Sequence, residues 1–350
     1  MSEIERRKTE HIDLVMAGDV SQATHGTGLD GVRFEHNALP EMCLADVNLE
    51  SVFLGRNVSA PILVSSMTGG AERSASLNRS IAEACGALQL GFGVGSQRIA
   101  LEGGNPCGFS GDLRRAAPDV PILANFGAAQ LNVWDGVDMA HRAVDMIEAD
   151  ALIIHLNPLQ EAVQNGGDTN WSGLLNKIET LCKKCTFPII VKEVGAGLSA
   201  NVASNLTAAG VAGIDVAGLG GTSWAAVEGA RAPNQLQCEI AEAFRDWGIP
   251  TAQAIMSVRE ACPDALLIGS GGIRNGLDCA RAIRLGADMV GIAAGVLPNA
   301  LEGTGAIRDK LIATIEQLRI ACFCTASQNL DELRAAPLIA APQRVRGARS

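Results

Sequence analysis

ALLIGSGGIRNG, Ala265 to Gly276, decides the architecture. A short apolar run closes on a glycine loop, and MVGIAAG from Met289 repeats the pattern with a second apolar run ending in small residues. Backbone N–H groups approach an anion closely only where side chains are small, and two such loops in succession are how the last strands of a (β/α)₈ barrel surround a phosphate. A single glycine loop would be a weak signal; its neighbour strengthens it.

Six more runs of the same kind precede this pair, with helical stretches between them: PILVSSMTGG from Pro61, LGFGVGS from Leu90, PILANFGA from Pro121, ALIIHLNP from Ala151, PIIVKEVG from Pro188 and GIDVAGLGG from Gly213. Most are spaced about 25 to 35 residues apart, the length of a strand, a helix and two short loops. Eight units predict a TIM barrel, an α/β fold in one domain. Its core runs from about 60 to 300, with an N-terminal extension over 1–59 and a helix and tail over 301–350. The helix is GAIRDKLIATIEQLRIACFC, and the basic tail from Ala341 is expected to be disordered. The long interval holding VEGARAPNQLQCEIAEAFRDWGIP is a candidate lid.

Composition agrees. Of 350 residues 47% are hydrophobic and 19% charged, with 39 glycines and few aromatics, as a parallel α/β core of Ala, Val, Ile and Leu requires. The net charge of −10 argues against nucleic acid as a partner and means that an anionic ligand needs local cations. No stretch reaches the roughly 18 apolar residues of a membrane span, and a soluble cytoplasmic protein is expected. The ten cysteines are scattered, so reduced thiols are expected, and the CKKC of Cys182 and Cys185 lacks a second ligand pair for zinc.

Barrel enzymes build their sites at the carboxyl ends of the strands. Here nearly every run ends in polar residues: Ser66-Met67-Thr68, Ser96-Gln97-Arg98, Asn125, His155-Leu156-Asn157, Lys192-Glu193, Thr222 and Gly272-Ile273-Arg274. Any one could be a satisfied core group, but the whole rim together is functional. The glycines of GFGVG from Gly91 read as packing inside the barrel, and GLGGT from Gly218 as a close backbone approach to a ligand. Lys192 in VKEVG has three readings: a Schiff-base lysine, a cation beside a flavin ring, or a structural ion pair with Glu193.

Nine motifs in order then carry a resemblance: RKTEHI at Arg7, FEHNALPE at Phe34, SMTGG at Ser66, GVGSQR at Gly93, HLNPLQE at His155, GDTNW at Gly167, VKEVGAG at Val191, GGTSWA at Gly220 and GSGGIRNG at Gly269. From about residue 6 to about 340 the chain resembles the type 2 isopentenyl-diphosphate Δ-isomerases. The resemblance implies an FMN-dependent barrel, active with reduced flavin, that interconverts isopentenyl and dimethylallyl diphosphates with Mg²⁺. It further implies NADPH or another reductant for priming, and a homo-oligomer, tetramer or octamer.

Carried over residue by residue, Ser66, Met67, Thr68, Ser96, Asn125, Lys192, Thr222, Gly272, Ile273, Arg274, Ala293 and Ala294 would hold FMN. Arg7, Lys8, Gln97, Arg98, His155, Asn157 and Gln160 would meet the substrate, and Glu161 would hold Mg²⁺. The chain departs from the family at Phe126, beside Asn125, and at Ala326, where glycine is common.

The chemistry is coherent. A 1,3-proton shift on an unactivated alkene needs a strong acid, and Gln160 is a neutral amide, which points to the reduced flavin as proton carrier with Gln160 orienting or relaying. Mg²⁺ between Glu161 and the diphosphate reverses a repulsion. The competing reading, an FMN-dependent oxidoreductase of the 2-hydroxy-acid oxidase or dehydrogenase type, needs a His and an Arg after strand six, where this chain has GLGGTSWA.

Overall fold

The computed structural model describes residues 3–18, 20, 26–67, 72–104, 106 and 108–339, with only the backbone described for 3–6, 8 and 72–74. A hairpin that the sequence reading did not anticipate comes first. Its strands β1 (Ser51–Phe53) and β2 (Arg56–Val58) pair antiparallel around Leu54-Gly55, both at positive φ as a tight two-residue hairpin turn requires.

Each of the eight apolar runs then forms a strand: β3 (Ile62–Val64), β4 (Gly91–Gly93), β5 (Ile122–Gly127), β6 (Ala151–Leu156), β7 (Ile189–Glu193), β8 (Gly213–Asp215), β9 (Leu266–Ser270) and β10 (Met289–Ile292). They pair parallel and close as β10-β3-β4-β5-β6-β7-β8-β9. Alternate residues face opposite sides. Ile62, Val64, Ile122, Leu152, Ile189 and Val290 pack outward against the helices, whereas Leu63, Leu123, Ile153, Ile190, Ile268 and Met289 fill the inside. Phe53 of the hairpin joins that inner cluster and plugs the amino end of the barrel. A Cβ on Gly91 would stand 3.3 Å from Phe53, and one on Gly93 2.8 Å from the Ser66 hydroxyl, so these glycines do pack inside.

One stitch is used twice, four strands apart. Asp150, just before β6, accepts the Ile122 N–H at 2.8 Å and the Arg114 guanidinium at 2.6 Å. Asp288, just before β10, accepts the Leu267 N–H at 2.9 Å and the Arg259 guanidinium at 2.6 Å. Each arginine also donates to main-chain oxygens of the turn leading into the earlier strand, Val120 in one case and Ala265 in the other. The buried start of each strand pair is thereby satisfied.

The N-terminal helix Glu3–Ala17 packs on helix Trp224–Ala230, with Val20 buried against Ala226 and Val227. The C-terminal helix spans Thr304–Cys324, and the tail from Ala341 lies outside the described residues. Phe126 is fully buried, meets Trp134 edge-on and belongs to the outer cluster, so it does not approach the barrel mouth.

Ala326 ends the long helix. Its φ is +53°, its N–H donates to Phe323 O, and the Ser327 N–H donates to Cys322 O, the pattern in which glycine is preferred. A left-handed alanine is strained by roughly 1 kcal/mol or more, part of which glycine returns as unfolded-state entropy. Ala326→Gly should therefore raise stability by about 0.5–1 kcal/mol, read as a higher urea midpoint at unchanged slope. A lower midpoint would mean that the strain is compensated elsewhere.

Candidate active site

Two residues beyond the apolar layer, the inward positions turn polar or small: Asn125, His155, Lys192, Asp215, Ser270 and Gly291. Above them opens a cavity of about 490 Å³ at the carboxyl ends of the strands. Two glycine loops stack to form one side. Gly271 and Gly272 have φ of +104° and +66°, and a Cβ on them would stand 2.1 Å from Gly218 O and 2.3 Å from Gly220 O. The close approach expected of GLGG is thus made first to the backbone of the next loop. Together with Ile273, Arg274, Ala293 and Ala294 these loops line the cavity with small residues and main chain, a wall that a phosphate could approach.

Ser66, Met67, Ser96 and Thr222 line the same cavity; Thr68 lies outside the described residues. The hydroxyls of Ser65 and Ser66 are buried with no hydrogen-bond partner among the described residues. Buried hydroxyls are normally paired, so these two fit a polar cofactor seated against them, as FMN would be.

Lys192 is buried at the cavity wall, and its Nζ donates to the main-chain oxygen of Glu193 at 2.6 Å. The side chain of Glu193 points to the other side of the strand. Its Oε2 accepts N–H groups from Val194, Gly195, Ala196 and Gly197 at 2.5–3.1 Å, organising the loop after β7. Burial pushes that carboxyl up and the N–H donors oppose it. The side-chain ion pair considered for Lys192 is therefore not formed, and the ammonium is directed to the cavity.

After β6, Asn157 Nδ2 donates to Gln160 Oε1 at 3.1 Å and to Glu161 Oε1 at 2.9 Å. Glu161 Oε2 accepts the Asp168 N–H at 2.7 Å. Arg98 pairs with Asp168 at 2.7 Å, and Arg274 with Asp278 at 3.0 Å and Asp30 at 3.2 Å. Arg7 lines the cavity from the N-terminal helix, while the side chain of Lys8 lies outside the described residues. Among the described residues no group of three His, Cys, Asp or Glu gathers. A Mg²⁺ at Glu161 would have to complete its shell with ligand oxygens and water, which is that ion's habit.

Gln97 is a correction. It is fully buried and absent from the cavity: its Nε2 donates to Ala143 O at 2.9 Å and its Oε1 accepts the Asn125 N–H at 2.9 Å. Asn125 in turn holds His155, Oδ1 to Nδ1, at 2.9 Å. Gln97 is thus a support behind the wall, because it faces the helices while its neighbours Ser96 and Arg98 face the cavity.

The expected lid is also corrected. Helix Gln235–Glu242 packs against Trp224–Ala230, and among the described residues none from 229 to 250 lines the cavity. The N-terminal helix roofs it instead, through Arg7, His11 and Val15. His11 stacks edge-on against Trp224 and places Nε2 3.0 Å from Glu228 Oε1. The same oxygen accepts Gln160 Nε2 at 3.0 Å, and Oε2 accepts Arg231 at 2.8 Å. Burial alone would push the Glu228 carboxyl up, but its contacts with His11, Gln160 and Arg231 outweigh that and hold it below the usual range. Burial keeps His11 below its ordinary value. Sequence reasoning missed both: His11 lay inside RKTEHI and Glu228 inside the segment taken for a lid. Cys182 and Cys185 are free thiols that burial pushes up, the opposite of a reactive thiolate.

A family model described as FMN-dependent dehydrogenase matches residues 157–339. Among curated proteins the chain is 57% identical to an isopentenyl-diphosphate delta-isomerase of Stutzerimonas stutzeri (strain A1501), over 95% of this chain and 96% of the relative. It is 54% identical to one from Cronobacter sakazakii, over 96% and 97%, and 47% identical to one from Nostoc sp., over 95% of each. Among solved structures, mandelate oxidase superposes with a TM-score of 0.66 at 17% identity, over 96% of this chain and 97% of that one, a likeness of fold.

The roof has a pH signature. An unfolded chain takes up a proton on His11 as pH falls through 6.5, which the folded chain resists, so stability drops from there toward the lower folded value. Glu228, held below its ordinary 4.5, adds a second loss as pH falls from there through its folded value. Urea midpoints of the wild type between about pH 7.5 and 3 should show both steps, and His11→Gln only the lower one. An upper step that survives in the variant would assign it to another group.

Proposed function

The chain belongs to the isopentenyl-diphosphate delta-isomerase family, on a barrel of the FMN-dependent dehydrogenase type, and from that premise we propose that its cavity converts isopentenyl diphosphate to dimethylallyl diphosphate. The observation that carries the reading is the joined set Glu161, Asn157 and Gln160, hydrogen-bonded to one another on the same cavity as Lys192, with Gln160 held from behind by Glu228. Bound in reduced form, FMN would supply the proton donor and acceptor that an unactivated alkene needs and that a neutral amide does not provide.

The side chains have separable tasks. Ser66, Met67, Thr68, Ser96, Asn125, Lys192, Thr222, Gly272, Ile273, Arg274, Ala293 and Ala294 are proposed to hold FMN, with the Lys192 ammonium offsetting charge on the reduced ring. The Gln160 amide accepts from Asn157 and donates to Glu228, so it cannot rotate freely, and a fixed amide can orient the alkene or pass a proton to an ionised Glu228. Arg7, Lys8, Arg98, His155 and Asn157 meet the diphosphate as cations and donors in a chain of net charge −10. Glu161 supplies the hard oxygen for Mg²⁺. Gln97 leaves the substrate set and positions Asn125 and His155.

The same reading makes the enzyme a cytoplasmic homo-oligomer primed by NADPH or another reductant. Among the described residues no helix is long and apolar enough to cross a membrane. Against oxidation of a 2-hydroxy acid stands the loop after β8: Val216 to Ser223, VAGLGGTS, holds no side chain that could abstract a proton at neutral pH.

Interconversion of the two diphosphates, followed by NMR with reduced FMN and Mg²⁺ present, tests the activity directly. Glu161→Gln should lower kcat/KM by about 100-fold, chiefly through a raised Mg²⁺ requirement, with FMN content unchanged. Loss of FMN with normal Mg²⁺ dependence would refute the metal assignment. Arg7→Ala with Lys8→Ala should raise KM tenfold or more, since a charged hydrogen bond contributes roughly 1.5–3 kcal/mol. Unchanged kinetics would make that segment a solvated charge run.

A further inference from the structure

Asp215 is unused by the reading above. It ends β8, is fully buried, and is absent from the cavity lining. Its register partner on β7 is Lys192, and both side chains face the inside of the barrel. Asp215 Oδ1 accepts the Ser270 hydroxyl and, at 3.3 Å, the Ala217 N–H, while Oδ2 has no hydrogen-bond partner among the described residues. Ser270 itself lines the cavity.

A buried carboxylate with an unshared oxygen is expensive to keep. Burial pushes this carboxyl above its ordinary range, and the charge of Lys192, the Ser270 hydroxyl and the Ala217 N–H oppose that rise without cancelling it. The ammonium does not bond the carboxyl, donating to Glu193 O instead, so the two charges interact across neighbouring strands without closing a salt bridge. That separation leaves the lysine free to face the cavity while its charge is partly offset from below.

We propose that Asp215 is a positioning residue for Lys192: out of reach of any ligand, its negative charge tempers the lysine's positive charge and so sets how strongly the cavity favours a reduced, anionic flavin ring. The inference rests on the reading of Lys192 as the flavin-facing cation. Its direction follows from Coulomb's law. Without the carboxylate the ammonium is uncompensated, an adjacent anion is better stabilised, and bound flavin becomes easier to reduce by two electrons and one proton.

The test is a dye-coupled anaerobic redox titration of purified holoprotein, wild type against Asp215→Asn. The variant should shift the reduction equilibrium about tenfold toward reduced flavin, a rise of roughly 30 mV in midpoint potential for a two-electron couple. A merely structural carboxyl would leave the potential of whatever flavin remains bound unmoved. Should the asparagine variant fail to fold, Asp215→Ser removes the same charge while keeping a hydroxyl toward Ser270, and must move the potential in the same direction. FMN bound with an unmoved or lowered potential overturns this proposal alone. A wild type that takes up no FMN overturns the reading of the cavity and this proposal with it.

Discussion

In a closed barrel every second residue of each strand faces a space that only other side chains can fill. This chain meets the constraint in two ways within two residues. Leu123, Ile153, Ile190 and Ile268 fill the lower interior with hydrocarbon, sealed by Phe53. One step along the same strands stand Asn125, His155, Lys192 and Ser270, all but Ser270 carrying a strong donor or a charge. The apolar layer excludes water from below, so the polar layer is rigid and poorly solvated, which strengthens its electrostatics toward anything seated on it. On the proposed reading that occupant is a flavin, and the barrel's packing requirement becomes its electrostatic environment.

The second dependence runs from outside inward. Gln97 fixes Asn125, and Asn125 fixes His155. From the other direction the N-terminal helix brings His11 to Glu228, and Glu228 holds Gln160. The amide proposed to face the substrate is therefore held by Asn157 on one side and, through Glu228, is tied to the docked first helix on the other. On the proposed reading, a diphosphate held by Arg7 on that same helix would favour the docked state.

The fold was legible because strand and helix periodicity is local. Eight runs predicted eight strands, and the small-residue loops after the last two both line the cavity. Motif-borne residues such as Lys192, Asn157 and Glu161 also reached the cavity. What escaped depends on contacts distant in sequence. Gln97 sits in a motif between two cavity residues, and only its bonds to Ala143 and Asn125 reveal that it faces away. Glu228 lies in a small-residue helix whose partners come from residues 11 and 160, so no spacing announces it. Phe53 plugs the barrel from a hairpin too short to give a periodic signal, although Leu54-Gly55 is a turn. Ala326 was visible as a departure from its family, and its cause, a left-handed helix end, needed the backbone.

On the proposed reading this flavin barrel moves a proton and not electrons. Substrate and product have the same oxidation level, so electrons are required only to bring the flavin to its reduced state. The direct measurement is the yield of dimethylallyl diphosphate per electron delivered, under anaerobic conditions with dithionite just sufficient to bleach the protein. Many product molecules per electron pair are expected, while the flavin spectrum stays bleached. One product per electron pair, or full activity with oxidised flavin, would contradict that reading.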